Sequence, residues 1–114
     1  MEKILTSIAS QGNASFLAVL KAFGPGRGLL SFPLAGYTLA LDFPLRSTTV
    51  SFLRHLDEEV ATAGGRVYLA KDAVLERNNF ETMYPEIETF KGIKGKYDPK
   101  NRFRSAQSER LGIY

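Results

Sequence analysis

Two lysines on otherwise apolar segments are the side chains of this sequence best suited to chemistry. Lys71 comes near the end of residues 66–72, whose valine, tyrosine and leucine favour a strand. Lys21 lies within another run that is largely apolar. A lysine in such a setting is either a solvated charge at a sheet edge or a cation positioned to hold an anionic group. The residue types alone leave both interpretations open.

Alternation along two further segments indicates a shared polar surface. Val19 and Lys21 lie two residues apart, and so do Thr38, Ala40 and Asp42 on the next apolar segment. Residues two apart in a strand point to the same face. Lysine and hydroxyl groups that converge on one face of a sheet suit an anionic or polyhydroxylated ligand.

Four other patterns are better explained by ordinary structure. The glycine-rich residues 24–28 could approach a phosphate, but they lack the P-loop pattern and predict a hairpin loop. His55 is interpreted as an ordinary surface or partly buried histidine, and the acidic run 57–59 as a solvated helix face. The basic segment 91–104 is diluted by Asp98, so we do not expect nucleic-acid binding.

The composition limits the classes of protein and site. The 114 residues, of which 44% are apolar and 24% charged, suffice for one folded domain or a piece of a larger one. The lack of cysteine excludes disulfides and thiol catalysis, and with a single histidine no metal site is expected. No apolar run approaches the roughly 20 residues of a membrane span, and no signal-peptide pattern is present.

The first part of the chain predicts a helix and a hairpin. Residues 2–11 have an apolar stripe at helical spacing. Residues 16–23 are largely apolar on both faces, which predicts a well-buried strand. Residues 37–43 predict a second strand, apolar on both faces except at Thr38 and Asp42. The short loop between them favours antiparallel pairing.

A long amphipathic helix precedes the Lys71 segment. Its apolar residues recur at intervals of three and four: Val50, Leu53, Leu56, Val60 and Ala63. We expect Ser47 or Thr48 to cap its start and Gly64 with Gly65 to end it. Residues 66–72 then follow as a third strand.

The rest of the chain predicts helices. One begins at Asn78 or Asn79, is interrupted by Pro85 and ends at Asp98, and Ser105 caps a last turn. The predicted order α-β-β-α-β-α is typical of an α+β fold in which helices cover a small antiparallel sheet. Strands that are apolar on both faces need cover on both sides, so we expect the chain to be part of something larger.

Several long motifs, taken in order, are similar to those of one class of flavoenzymes. They are SFLAVLKAFGPG at 15–26, LSFP at 30–33, GYTLALDFP at 36–44, GGRVYLAKD at 64–72, MYP at 83–85 and the segment 98–105. Together they resemble the C-terminal quarter of FAD-linked oxidoreductases of the vanillyl-alcohol-oxidase type, most closely the decaprenylphosphoryl-ribose oxidase group. The resemblance covers nearly the whole chain.

The resemblance implies a fragment of a two-domain flavoprotein with FAD as cofactor. Residues 1–69 would be the C-terminal portion of the substrate (cap) domain, and residues 70–114 would return to the FAD-binding domain. An N-terminal FAD-binding domain would be the missing partner, so the chain alone would be inactive.

The same resemblance assigns site residues. Lys71 would be catalytic, and Tyr68 and Lys71 would contact FAD. The substrate pocket would include Val19, Lys21, Thr38 and Ala40. The last two match positions that are often asparagine and cysteine in mycobacterial members, a departure that removes the thiol and leaves the identity of the substrate open.

The implied activity is oxidation of an alcohol group on a sugar-like or polyol substrate, with hydride passing to the flavin. Lys71 would stabilise negative charge on the flavin or on the substrate oxygen. The alternative is a free-standing α+β binding or interaction module for an anionic ligand. Neither hypothesis involves nucleic acid or a transmembrane segment, the default location is cytoplasmic, and uncovered apolar surface would favour a homo-oligomer.

Overall fold

The computed structural model describes residues 1–12 and 17–114. These residues form five helices and one two-stranded antiparallel sheet, which confirms the predicted α+β class. The elements are α1 (Glu2–Ser10), β1 (Ala18–Phe23), β2 (Gly36–Leu41), α2 (Thr49–Thr62), α3 (Arg77–Met83), α4 (Ile87–Tyr97) and α5 (Ala106–Leu111). None of the helices described is long and apolar enough to cross a bilayer.

The hairpin formed by β1 and β2 has the predicted antiparallel pairing. Its register runs from Ala18 opposite Leu41 to Phe23 opposite Gly36. Gly36 adopts a φ of 145°, a conformation that glycine enters far more readily than other residues. The predicted start of the first strand, at Phe16, lies outside the described residues.

The prediction that β1 is well buried is wrong. Five of its six residues are exposed, and only Phe23 is half-buried. The end of β2 is better covered, because α1 and α2 lie beside Leu39 and Leu41. A strand that is apolar on both faces needs two covering layers. The described helices pack mainly beside β2 and around the C-terminal core, which leaves β1 largely uncovered.

The prediction of a third strand over residues 66–72 is also wrong. Residues 66–68 are irregular, and residues 69–71 form a turn. In the described chain, the only sheet consists of β1 and β2, so no strand pairs with this segment. Its carbonyl groups accept hydrogen bonds from the side chains of Tyr84 and Gln107 instead. Residues that favour a strand form one only where a partner strand is available to pair with them.

Most of the predicted helix boundaries are confirmed. Thr48 occupies the N-cap position of α2, although its side chain makes no capping hydrogen bond, and Gly64 follows the end of that helix with a φ of 70°. Pro85 lies in the break between α3 and α4, and Asp98 is the C-cap residue of α4. Ser105 caps α5 through a reciprocal capping box.

The predicted helix start at Asn78 or Asn79 is wrong. α3 begins at Arg77 with Glu76 in the N-cap position, so both asparagines lie inside the helix. Arg77 donates a hydrogen bond to Glu81 at 2.8 Å, one turn further on. The first helical hydrogen bond, from the Phe80 amide to the Glu76 carbonyl at 3.0 Å, already spans both asparagines.

The hydrophobic core lies among α3, α4, α5 and the residues just before α3. Its buried side chains are Leu75, Phe80, Met83, Tyr84, Ile87 and Leu111. The rings of Phe80 and Tyr84 lie 5.2 Å apart, centroid to centroid. Large buried aromatic side chains dominate the stability of a small core. The C-terminal helices are therefore the base on which the rest of the chain is held.

Tyr84 joins the irregular segment after α2 to this core. Its ring is fully buried, and its hydroxyl donates to the Val67 carbonyl at 2.7 Å. Burial raises the pKa of Tyr84 to about 12, so the hydroxyl keeps its proton and remains a donor. Arg66 lies 5.0 Å from the centre of the same ring and donates to the Met83 carbonyl at 2.8 Å. These contacts fix where the chain leaves the core.

We expect Tyr84→Phe to lower the free energy of unfolding by about 1–2 kcal/mol, because the Val67 carbonyl loses its donor while the ring stays packed. Urea unfolding followed by circular dichroism measures the change. Tyr97→Phe is the matched control, because Tyr97 is 78% exposed. Equal losses of stability in the two variants would contradict the anchoring role of the Tyr84 hydroxyl.

Candidate functional site

The hairpin register brings together all four residues that were predicted to line a substrate pocket. Val19 lies opposite Ala40, and Lys21 lies opposite Thr38. Each pair is directly cross-strand, and the two pairs are two positions apart, so the four side chains share one face of the sheet. The predicted alternation is confirmed by this register, while the binding of a substrate there stays a prediction.

The solvent exposure of this face differs between Lys21 and Thr38. Lys21 is exposed, whereas Thr38 is half-buried. Thr38 also lines a cleft of about 250 Å³, together with Phe23, Phe32 and residues 63–66. A hydroxyl in the wall of a cleft, with an ammonium group at the cross-strand position, can hydrogen-bond the hydroxyl or anionic groups of a ligand.

An aromatic stack connects Tyr68 to the same face of the hairpin. Phe23 lies two residues after Lys21 on β1 and therefore shares its face. The ring of Phe32 packs edge-on against Phe23 at 5.9 Å, and the ring of Tyr68 lies 4.7 Å from that of Phe32. Tyr68 remains 46% exposed. Neither phenylalanine was predicted as a site residue, because the contacts of Phe23 and Phe32 form only in the folded chain.

Lys71 lies on the turn that follows Tyr68. Its backbone amide donates to the Tyr68 carbonyl at 2.9 Å, and its side chain is exposed. Within residues 1–12 and 17–114, its ammonium group forms no ion pair and no hydrogen bond with the hairpin residues. The structure therefore connects Tyr68 to the hairpin face through a stack, whereas no hydrogen bond or ion pair joins Lys71 to that face among the described residues.

Asp72, the neighbour of Lys71, forms an ion pair and hydrogen bonds with groups other than Lys71. Its side chain is 1% exposed, and Arg110 donates to its Oδ2 atom at 2.6 Å. Gln107 donates to the same oxygen at 3.2 Å, and the Leu75 amide donates to Oδ1 at 2.8 Å. Burial alone would raise the pKa of Asp72, but these hydrogen bonds, above all that of Arg110, hold the pKa below its usual value.

The sequence places Asp72 next to Lys71 but does not reveal the partners of the aspartate. Gln107 and Arg110 lie 35 and 38 residues further along the chain. No local pattern points across such a distance. The only available signal was that both residues fall on the short helix capped by Ser105.

The turn that carries Tyr68 and Lys71 fits the ring end of a flavin. A half-exposed aromatic side chain and an unpaired cation are groups that pack beside a heterocyclic ring and neutralise charge on it. In the described chain the glycine-rich residues 24–28 lead into β2 and open no helix that would bind a pyrophosphate. Tyr68 and Lys71 are thus groups that could contact the ring end of a flavin, whereas the loop at 24–28 offers no helix N-terminus for its pyrophosphate. No cluster of potential metal ligands occurs in the part that the structure describes.

A second cleft, of about 390 Å³, lies between α1, β2 and α2 and has Asp57 in its wall. Asp57 is 9% exposed, and its Oδ2 atom has no hydrogen-bond partner among the described residues. The prediction that the acidic run 57–59 is a solvated face is therefore wrong for this residue, and also for Glu59, whose side chain is only 13% exposed. Asp57 follows Leu53 by four residues and precedes Val60 by three, so it lies on the apolar stripe of α2.

Burial of Asp57 changes its titration. Loss of hydration disfavours the carboxylate, and the negative charge of Asp72 adds to this effect, so the pKa of Asp57 rises from 3.8 to about 7. The folded chain holds this proton more tightly than the unfolded chain does. Stability therefore falls as pH rises from the unfolded pKa to the folded one.

We expect Asp57→Asn to remove this loss of stability at high pH. The variant should be more stable than the unchanged chain at about pH 8, by on the order of 2 kcal/mol, because asparagine carries no charge to desolvate. The two proteins should differ little at about pH 4, where Asp57 is protonated in the folded state. Urea unfolding over this range measures the difference.

Asp42→Asn, at an exposed aspartate, is the control for a general effect of charge removal. The stability difference between Asp57→Asn and the unchanged chain must grow as pH rises. A difference that stays constant with pH would show that the Asp57 carboxyl does not titrate in the way its burial implies.

Comparison with known proteins shows two relatives that align with almost the entire chain. Decaprenylphosphoryl-beta-D-ribose oxidase of Mycolicibacterium smegmatis is 39% identical over 113 residues, which are 98% of this chain and 25% of that protein. An uncharacterised protein from the mprA 5′ region of Streptomyces coelicolor is 39% identical over 115 residues, which are 99% of this chain and 31% of that protein. The chain thus spans about a quarter to a third of the length of these relatives.

A family model described as D-arabinono-1,4-lactone oxidase matches residues 39–111. The matched range starts on β2, includes the turn with Tyr68 and Lys71, and ends at Leu111, a residue of the buried core. The predicted similarity to decaprenylphosphoryl-ribose oxidase is confirmed by the first relative. Since the family match runs through most of the chain, this chain belongs to the D-arabinono-1,4-lactone oxidase family.

Proposed function

We propose that this chain supplies part of the substrate pocket of an FAD-dependent oxidoreductase that oxidises an alcohol group of a sugar-like substrate. The family description names an oxidase of a sugar lactone, and the Mycolicibacterium relative is named as an oxidase of a ribose derivative. The structural observation that supports the proposal most directly is the hairpin register. It sets the Lys21–Thr38 and Val19–Ala40 pairs side by side on one face.

The chemistry of this hairpin face suits a sugar ring. The Thr38 hydroxyl both donates and accepts hydrogen bonds, and the Lys21 ammonium donates them. Val19 and Ala40 add an apolar strip beside these two groups. A few polar groups set into apolar surface orient a small ligand in a pocket.

Lys71 is the residue that we propose to act electrostatically in the reaction. FAD, when bound, supplies the acceptor for the hydride. An exposed ammonium without a carboxylate partner can stabilise negative charge on the substrate oxygen or on the flavin ring. Tyr68, on the same turn, would contact the ring and fix its position against the hairpin through Phe32.

The partner in this proposal is an N-terminal FAD-binding domain. Residues 1–69 would complete the substrate domain, and residues 70–114 would return to the FAD-binding domain. The exposure of β1 along most of its length supports a missing partner, because an apolar strand needs a covering layer. On this proposal the isolated chain does not turn over substrate.

A chimera tests the proposed activity. We expect the Mycolicibacterium relative to keep bound-flavin absorbance and oxidase activity when its matching quarter is replaced by this chain. In that chimera, Lys71→Ala should lower kcat by about 100-fold or more while the flavin stays bound, because one charge-stabilising group is lost. Lys100→Ala, at an exposed lysine after α4, is the matched control and should leave kcat unchanged.

A chimera that folds but binds no flavin would contradict the proposed partnership. Unchanged kcat in Lys71→Ala would remove the proposed role of that lysine. The competing hypothesis, a free-standing module for an anionic ligand, makes a different prediction. In that case the isolated 114-residue chain would bind a sugar phosphate in equilibrium dialysis without any flavin domain.

A further inference from the structure

The turn that carries Tyr68 and Lys71 has little to hold it from within. It contains one backbone hydrogen bond, from the Lys71 amide to the Tyr68 carbonyl. It belongs to no helix and pairs with no strand in the described chain. Its position must therefore come from groups outside the turn.

Gln107 bonds the chain on both sides of Lys71. Its Nε2 atom donates to the Leu69 carbonyl at 2.6 Å, two residues before the lysine. The same nitrogen donates to the Asp72 carboxylate at 3.2 Å, one residue after it. A single amide group thus spans the turn and sets the direction in which the Lys71 side chain leaves the backbone.

Asp72 completes this arrangement, which we call the Asp72 clamp: Asp72, Gln107 and Arg110. Oδ1 accepts hydrogen bonds from the Val74 and Leu75 amides at 3.0 and 2.8 Å, which turns the chain into the core. Oδ2 accepts from Gln107 and from Arg110. Arg110 also donates to the Leu75 carbonyl. With the aspartate bonded in this way, it does not pair with Lys71, so the lysine charge stays available.

The clamp is attached to the hydrophobic core through α5. α5 starts with the Ser105 capping box and ends with Leu111 in the buried core. At the start of the turn, Tyr68 packs on Phe32. The turn is thus held by hydrogen bonds from α5 and by an aromatic contact.

We infer that Gln107 and Asp72 are positioning residues that set the orientation of Tyr68 and Lys71 and keep Lys71 unpaired. The role of that orientation in catalysis rests on the proposed function. The structural effect of Gln107 and Asp72 on the turn does not depend on it. The two ideas can therefore be tested separately. The following experiment uses the isolated 114-residue chain without flavin or substrate, so its result is independent of the chimera.

The test compares Gln107→Met with Gln11→Met by NMR. Methionine keeps the length of the side chain and removes both donors, and Gln11 is an exposed glutamine next to the end of α1. In Gln107→Met, hydrogen exchange of the Lys71 amide should accelerate about tenfold or more, because the turn opens locally. The ring-current shifts that Phe32 induces on the Tyr68 ring should shrink. The Tyr84 amide, inside the core, should change by less than about twofold.

Unchanged exchange at Lys71 together with unchanged Tyr68 ring shifts would overturn the inference, even if overall stability fell. Loss of protection at Tyr84 would mean that Gln107→Met unfolds the core. Gln107→Asn then decides, because its shorter amide cannot reach both the Leu69 carbonyl and Asp72. In Gln107→Asn, faster exchange of the Lys71 amide while the Tyr84 amide stays protected supports the clamp. An equal acceleration of exchange at the Lys71 and Tyr84 amides refutes it.

Discussion

The course of residues 66–75 is fixed by hydrogen bonds from side chains, and the position of Tyr68 and Lys71 depends on this constraint. Tyr84 holds the Val67 carbonyl, and Gln107 holds the Leu69 carbonyl. Asp72 then directs the chain into the core through the Leu75 amide. Buried or half-buried carbonyl groups need donors, and here those donors come from the helical core instead of a neighbouring strand. The turn is consequently attached to the most stable part of the chain.

This attachment separates the roles of two adjacent charges. Asp72 is buried and takes all of its hydrogen bonds from Arg110, Gln107 and backbone amides. Lys71, the next residue toward the N-terminus, remains exposed on the turn. A lysine that neighbours a free carboxylate would have its charge partly neutralised. Engaging the aspartate with an arginine from α5 prevents this.

The hairpin depends on different forces. Its two strands are held by backbone pairing and by the Phe23–Phe32 contact, and β1 has little cover. The proposed pocket thus combines a turn bonded to the helical core with a hairpin that exposes much apolar surface. Exposed apolar patches of this kind mark surfaces that contact other protein. This agrees with a chain that spans about a quarter of its Mycolicibacterium relative.

Much of the fold and part of the site could be predicted, and the errors have identifiable causes. The hairpin and its shared polar face followed from the two-residue period of strands, which is a local property. The prediction of a strand at 66–72 was wrong because β-favouring residue types do not determine which groups hydrogen-bond to their backbone. Asp57 was assigned to solvent although its spacing from Leu53 and Val60 placed it on the apolar stripe. The helical spacing of Asp57 thus indicated burial, but its charge led to the prediction of an exposed side chain.

By itself, the sequence determined the α+β class, the antiparallel hairpin, most helix ends and the family to which the chain belongs. These features depend on periodicity, on capping residues and on ordered motifs, all of which are local or linear. Only the tertiary structure decided that residues 66–72 are irregular with a turn at 69–71 and that Asp72 bonds Gln107 and Arg110. Such contacts join groups more than 30 residues apart, and they form only when the helical core brings those groups within hydrogen-bond distance.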